Sequence, residues 1–396
     1  MDVQIAVDTL MIVVAVAAVT PLLLGLLPSL PIPQVVLLLV GGILVGPYGL
    51  EVGSAESVQF IADVGLGFVF LLAGYEIDVR LFAQDPGRRA ITAWCISIVL
   101  AMAVVGLLEA GGIVQAFVPV AIGLTTTSLG TLLPILRESG MLHGRLGRYL
   151  LAGGAVGELF PVIAIAIFLG AQNRFVALAS LAAVALLGLL LAVLPRWLRP
   201  GGRVSTVITA GQHETTQTTL RGTMLLLIAL IALTDEFHLD AVLGAFLAGM
   251  VLRRWVGGSS PALESKLDAV GYGFFVPVFF VYSGMKLDLG SIADAPLRLL
   301  LFFVLIVLVR GLPNLLVYRS VLDRRQRTQT MLVTATALPL LVALAEIGLR
   351  NGTMLPENAA ALVGAGVLTV MVLPALAVAI HRPVPGDAPV RDGSDG

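Results

Sequence analysis

Charge is scarce in this chain: 12% of its 396 residues are Asp, Glu, Lys or Arg, where a soluble domain carries about a quarter. The net charge of −1 leaves no basic excess for a nucleic-acid partner. A single cysteine, Cys95, excludes an intrachain disulfide. The four histidines (His143, His213, His238 and His381) lie in or near connections, which argues against an intramembrane metal centre or a histidine-based hydrolase. No dinucleotide or P-loop motif has the right flanks. An intramembrane aspartyl enzyme would need two facing aspartates deep in helices, and only Asp63 comes close. The first apolar run follows MDVQIAVD, which has no Lys or Arg, so it reads as a retained helix rather than a secretory signal.

What is abundant is apolar length. Hydrophobic residues make up 58% of the chain. Runs long enough to cross a bilayer recur at 8–27, 31–50, 57–76, 89–109, 113–136, 146–169, 175–195, 219–235, 238–255, 267–285, 297–318, 329–349 and 358–380. The expectation is an all-α polytopic membrane protein of about 13 transmembrane helices. Lys and Arg concentrate in cytoplasmic loops. With the N-terminus outside and the C-terminus cytoplasmic, 19 of the 24 basic residues fall on the inner side and four on the outer. The remaining one, Arg310, lies inside span 11.

The chain repeats itself. FVFLLAGYEIDV (Phe68–Val79) aligns without gaps on VFFVYSGMKLDL (Val278–Leu289) at an offset of 210. Gly41 and Gly46 of span 2 recur as Gly244 and Gly249 of span 9, and TTTSL…LRESG in span 5 recurs as TATAL…LAEIG in span 12. Spans 1–6 and 8–13 are therefore two six-helix repeats joined by linker helix 7, and that odd helix places the second copy upside down. Inverted repeats of this kind mark secondary transporters, with the site at the midplane.

Spans 5 and 12 carry unusual centres. LTTTSLGTLLP brings Thr125, Thr126, Thr127 and Ser128 into mid-membrane, and TATALPLL brings Thr334 and Thr336 together with Pro339. One reading is a pair of proline-kinked helices whose hydroxyls bond back to their own turns. The other is two interrupted helices whose exposed ends and carbonyls suit a small cation. Glu158 falls in the middle of span 6, where a charge costs roughly 2.5–3.5 kcal/mol on insertion scales and so marks a functional candidate. Arg310, the one basic residue near a span centre, offers either a structural ion pair with Glu158 or charge compensation for a carboxylate that alternates between a proton and a monovalent cation. Glu76, Asp78 and Asp288 read as span-end residues, Glu138 and Glu346 as matched helix termini, and Asp235, Glu236 and Asp240 as an external charged loop.

LLLVGGILVGPYGL, LLAGYEID, the hydroxyl-rich break, VLGAFLAGMVL, FFVPVFFVYSGMKLDL and ALPLLVALAEIG together resemble the bacterial monovalent cation:proton antiporters of the Kef/Nap type, over nearly the whole chain. The resemblance implies a homodimer in the bacterial inner membrane, bound by lipid and needing no cofactor, in which H⁺ exchanges for Na⁺ or K⁺. It implies scaffold helices at 1–87 and 219–290 and a moving core at 88–170 and 291–381 whose two interrupted helices cross; 171–218 is then the linker between the repeats, and the short Pro/Gly/Asp-rich tail at 382–396 reads as disordered from its composition. It places the shared site on Glu158, with the hydroxyls of the breaks beside it. Members commonly carry two polar residues at the positions of Gly157 and Glu158, and this chain carries one. Arginine stays protonated, so the expectation is one proton per cation, an electroneutral cycle. A gated cation channel and a sodium-coupled solute symporter are the competing readings.

Overall fold

The computed structural model describes residues 3–26, 33–114, 116–142, 144–168, 217–236, 239–256, 260–294 and 296–381, with isolated positions at 182, 186, 188 and 190. Within these residues the spanning segments are helical except at two interruptions in spans 5 and 12, as expected where no water can satisfy backbone groups. The helices are α1 (Val3–Leu26), α2 (Gln34–Val45), α3 (Ala55–Glu76), α4 (Asp85–Ala110), α5 (Phe117–Gly123), α6 (Leu129–Glu138) and α7 (Gly144–Phe168). There follow α8 (Thr218–Glu236), α9 (Ala241–Val256), α10 (Pro261–Met285), α11 (Pro296–Val317), α12 (Arg324–Thr334), α13 (Pro339–Arg350) and α14 (Pro356–Ala379). Span 5 is thus two half-helices, α5 and α6, and span 12 is two, α12 and α13. Span 7 of the sequence reading lies almost wholly outside the described residues.

Proline sets much of the detail. Pro261, Pro339 and Pro356 stand in the first turn of α10, α13 and α14, where a missing N–H costs nothing. Pro277 and Pro313 stand inside α10 and α11, and each follows a π-helical turn, Gly271–Phe275 and Val307–Gly311. A proline ring crowds the carbonyl four residues before it, and widening that turn relieves the crowding. The two widened turns carry Tyr272 and Arg310.

Two packing groups result. In one, α3 lies along α9 and α2 along α10, with α1 and α8 at their sides. In the other, α4 packs on α7, α12 on α7, and α11 and α13 on α14. The first group rests on matched close approaches. A side chain on Gly74 would strike the Phe246 backbone, and one on Gly249 would lie 2.6 Å from the Tyr75 nitrogen. A side chain on Gly284 would lie 3.0 Å from the Gly42 Cα, and one on Gly46 2.8 Å from the Met285 Cα. Gly74 and Gly284, like Gly46 and Gly249, are the positions that align between the repeats.

Candidate functional site

The second packing group is built around the two breaks. Between α5 and α6, residues Leu124–Ser128 leave the helix, and between α12 and α13 residues Ala335–Leu338 do so. The backbone donors released by unwinding find partners across the crossing. The Ser128 N–H donates to the Thr336 carbonyl at 2.9 Å, and the Thr127 hydroxyl donates to the Thr334 carbonyl at 2.6 Å. The Thr127 N–H donates to the Gly157 carbonyl of α7 at 2.9 Å. That carbonyl is free because Pro161, four residues on, has no N–H to offer it. In the second break the Ala337 N–H donates to the Thr369 hydroxyl at 3.1 Å.

Glu158 sits beside the first break. It is 6% exposed, and its Oε1 accepts the Leu129 N–H at 2.9 Å, so it caps the first turn of α6. The partial positive charge of a helix start favours a carboxylate there. Its Oε2 is buried and accepts no hydrogen bond. The carboxyl faces a cavity of about 860 Å³ that is also lined by Glu76, Thr127, Ser128, Thr131 and Tyr272. The glycines of α7 allow this closeness, since a side chain on Gly154 would lie 2.6 Å from Leu129.

Arg310 is 1% exposed and faces elsewhere. Its Nε donates to the Thr127 hydroxyl at 3.0 Å and its Nη2 to the Gly153 carbonyl at 2.8 Å. The direct Glu158–Arg310 ion pair considered from the sequence is not formed. Ion pairs among the described residues include Arg89–Asp85, Arg350–Asp63 and Arg350–Glu346. Helical geometry gives the reason. Successive residues point about 100° apart, so Gly157 meets Thr127 and Arg310 while Glu158 turns to α6 and the cavity.

The hydroxyls divide into two sets. Thr127 and Ser128 line the cavity with Glu158. Thr125 and Thr126 are buried and donate to the Ile122 and Gly123 carbonyls at 2.8 Å, closing the end of α5. Thr334 and Thr336 donate to the Thr330 and Leu332 carbonyls, at 2.7 and 3.1 Å, and close α12. Hence the two helices are interrupted rather than kinked, although most of the hydroxyls bond back to their own turns.

Glu76 was read from the sequence as a span-end residue. The structure brings it into the same cavity, with a buried Oε2 that has no hydrogen-bond partner. A side chain added to Gly130, in the first turn of α6, would lie 3.4 Å from that oxygen and 3.7 Å from the Tyr272 hydroxyl. One signal was available: the residue aligned with Glu76 in the second repeat is Lys286, so the position breaks the repeat. Away from this cavity, Arg350 at the end of α13 pairs with Asp63 of α3 and donates to Glu346 at 3.0 Å. Tyr282 of α10 donates to the same Glu346 oxygen at 3.0 Å. This network ties the first packing group to the second.

A family model described as sodium/hydrogen exchanger, transmembrane, matches residues 14–380. The chain belongs to that family. The chain is 27% identical over 367 residues to the putative Na(+)/H(+) antiporter YjbQ of Bacillus subtilis, covering 87% of this chain and 58% of the relative. It is 24% identical over 364 residues to the probable Na(+)/H(+) antiporter 3 of Methanocaldococcus jannaschii, covering 88% and 91%. Against the glutathione-regulated potassium-efflux protein KefC of Escherichia coli the identity is 25%, over 69% of this chain and 44% of the relative. The chain thus spans little more than half of YjbQ, less than half of KefC and most of the archaeal relative. The solved structure of the sodium proton antiporter MjNhaP1 from Methanocaldococcus jannaschii shares the fold, with a TM-score of 0.65 at 20% identity and 96% of each chain covered.

Proposed function

We propose that this family member is a transporter, not an enzyme, that exchanges a monovalent cation, Na⁺ or K⁺, for H⁺ by alternating access. The observation that carries the reading is Glu158: one oxygen holds the start of α6, and the other is buried, unpaired and turned into the cavity. A carboxyl removed from water must be neutralised. A proton does this by making the acid, and a cation does it by binding the charged form. The two occupants exclude each other, so arrival of one requires departure of the other. The cation's remaining ligands come from the polar groups around the cavity, Ser128 and Glu76 first.

The cavity also reaches Asp78, Arg137, Arg253 and Asp268, which stand at the span ends assigned to the cytoplasmic side by the distribution of Lys and Arg. This supports an inward-open state, closed on the outer side by the Asp63–Arg350–Glu346–Tyr282 network. The first packing group serves as the scaffold of a homodimer and the second as the moving core, which carries Glu158 and both breaks. With glycine at 157 and a permanently charged Arg310, the core offers one exchangeable carboxyl. The cycle is then electroneutral, one H⁺ for each Na⁺ or K⁺.

Reconstitution tests this. In proteoliposomes with an imposed pH gradient, Na⁺ or K⁺ should dissipate the gradient, and Glu158→Gln should abolish the effect. Gradient dissipation that persists in that variant rejects the reading.

A further inference from the structure

Gly157 stands in an ordinary stretch of α7 and is not among the glycines of positive φ. Backbone freedom does not require glycine there, and an interior glycine weakens a helix. What requires it is a neighbour. A Cβ at 157 would lie 2.6 Å from Nη2 of Arg310, 2.5 Å from Cβ of Thr127, and closer still to the Thr127 hydroxyl. The Thr127 side chain and the guanidinium together fill the place of a side chain at position 157.

From that place Arg310 reaches the crossing. It donates to the Thr127 hydroxyl, which donates in turn to the Thr334 carbonyl at the end of α12. Its Nη2 holds the Gly153 carbonyl of α7 at 2.8 Å. Asn314, one turn on, donates to the Arg310 carbonyl and to the Thr334 hydroxyl, both at 2.8 Å. The positive charge therefore lies against the carbonyl-rich end of α12, where a helix is partially negative. No carboxylate is involved.

We propose that Gly157 and Arg310 are an interlocked pair, in which Arg310 acts as a positioning residue: through Thr127 it fixes the first break, and so the Leu129 N–H that orients Glu158. A side chain at 157 displaces both Thr127 and the guanidinium, and so breaks the contact between them. Lysine at 310 keeps a charge but lacks the guanidinium that holds Thr127 and Gly153 together.

The test is a double-mutant cycle on the full chain: Gly157→Ala, Arg310→Lys and the two combined, each measured for cation-dependent proton movement, apparent cation KM, pH profile and thermal midpoint in detergent. The expected result is a loss of about tenfold or more in transport for Gly157→Ala, and little further loss when Arg310→Lys is added, because both changes break the same Arg310–Thr127 contact; the double variant then falls well short of the product of the two losses, and its pH profile and KM match those of Gly157→Ala. Losses that merely multiply in the double variant overturn the interlock, as does a Gly157→Ala protein that works normally. Should Gly157→Ala fail to fold, Arg310→Lys alone decides: a shifted cation KM and pH profile support its positioning role, and wild-type values for both overturn it. The transport arm rests on the antiport reading. If wild type moves no protons in response to cations, that reading fails, while the thermal midpoints still decide the interlock.

Discussion

The Leu129 N–H donates to Oε1 of Glu158 at 2.9 Å, so the intramembrane carboxyl of α7 is also the cap of α6. The proposed site acid and the broken helix are one unit. Two substitutions separate the roles. Glu158→Gln keeps an oxygen acceptor and should unfold close to the wild-type midpoint. Glu158→Leu leaves a buried N–H without a partner, at a cost of about 1–3 kcal/mol, and should unfold measurably earlier. Thermal unfolding of both variants in detergent checks this.

Glu76 faces the same cavity from α3 with a free, buried oxygen. If it completes the cation's shell, Glu76→Gln should raise the apparent cation KM by about tenfold, equivalent to 1.4 kcal/mol, and leave the maximal rate within a few fold of wild type. Transport measured against cation concentration separates the two parameters. A fall in rate at unchanged KM would place Glu76 outside the binding step.

If the Asp63–Arg350–Glu346–Tyr282 network closes the outer side, as proposed, a directional prediction follows. Asp63 and Arg350 are partly exposed, at 38% and 41% of their side-chain surface, so their pair is a weak lock. Asp63→Asn should shift the population away from the inward-open state. With Cys95→Ser removing the native thiol, Thr131→Cys in the cavity wall should be labelled more slowly from the cytoplasmic side when Asp63→Asn is added. Unchanged labelling would show that the network does not gate.

Outside the spanning segments, Tyr48 and Ser291 both donate to Asp288, and the Tyr48 hydroxyl does most to hold that carboxyl below the usual carboxylate range. A carboxyl lowered in the folded state stabilises above its unfolded value, about 3.9, and the contribution is lost as pH falls through the folded value. Acidification below about pH 4 should therefore cost wild type more stability than Asp288→Asn. Because Asp288 is partly exposed, the difference should be under about 1 kcal/mol. Thermal midpoints across an acid series measure it.

The sequence carried the spans well, because twenty-residue apolar runs and the bias of Lys and Arg are written in composition alone. It also carried both breaks, since TTTS and TATALP place hydroxyls and proline where lipid demands continuous helix. Glu158 stood out by depth. Direction was harder to read. Arg310 and Glu158 are both central, yet the turn between residues 157 and 158 sends them to different neighbours, and no count along a single helix shows which neighbour lies where. Glu76 was missed for a related reason: a residue at a helix end reads as solvated unless the elements covering it are known. The π turns of α10 and α11 were legible only as prolines, whose relief can be a kink, a break or a widened turn.

The central claim, that H⁺ and a cation alternate on Glu158, has a direct test in the reconstituted wild type and its Glu158→Asp and Glu158→Gln variants. Cation-driven proton release is measured against pH for Na⁺ and K⁺. Competition predicts that wild type shows an apparent cation KM that rises as pH falls, that Glu158→Asp shifts this dependence while still exchanging, and that Glu158→Gln does neither. A KM independent of pH in wild type, or exchange sustained by the glutamine variant, would contradict the account.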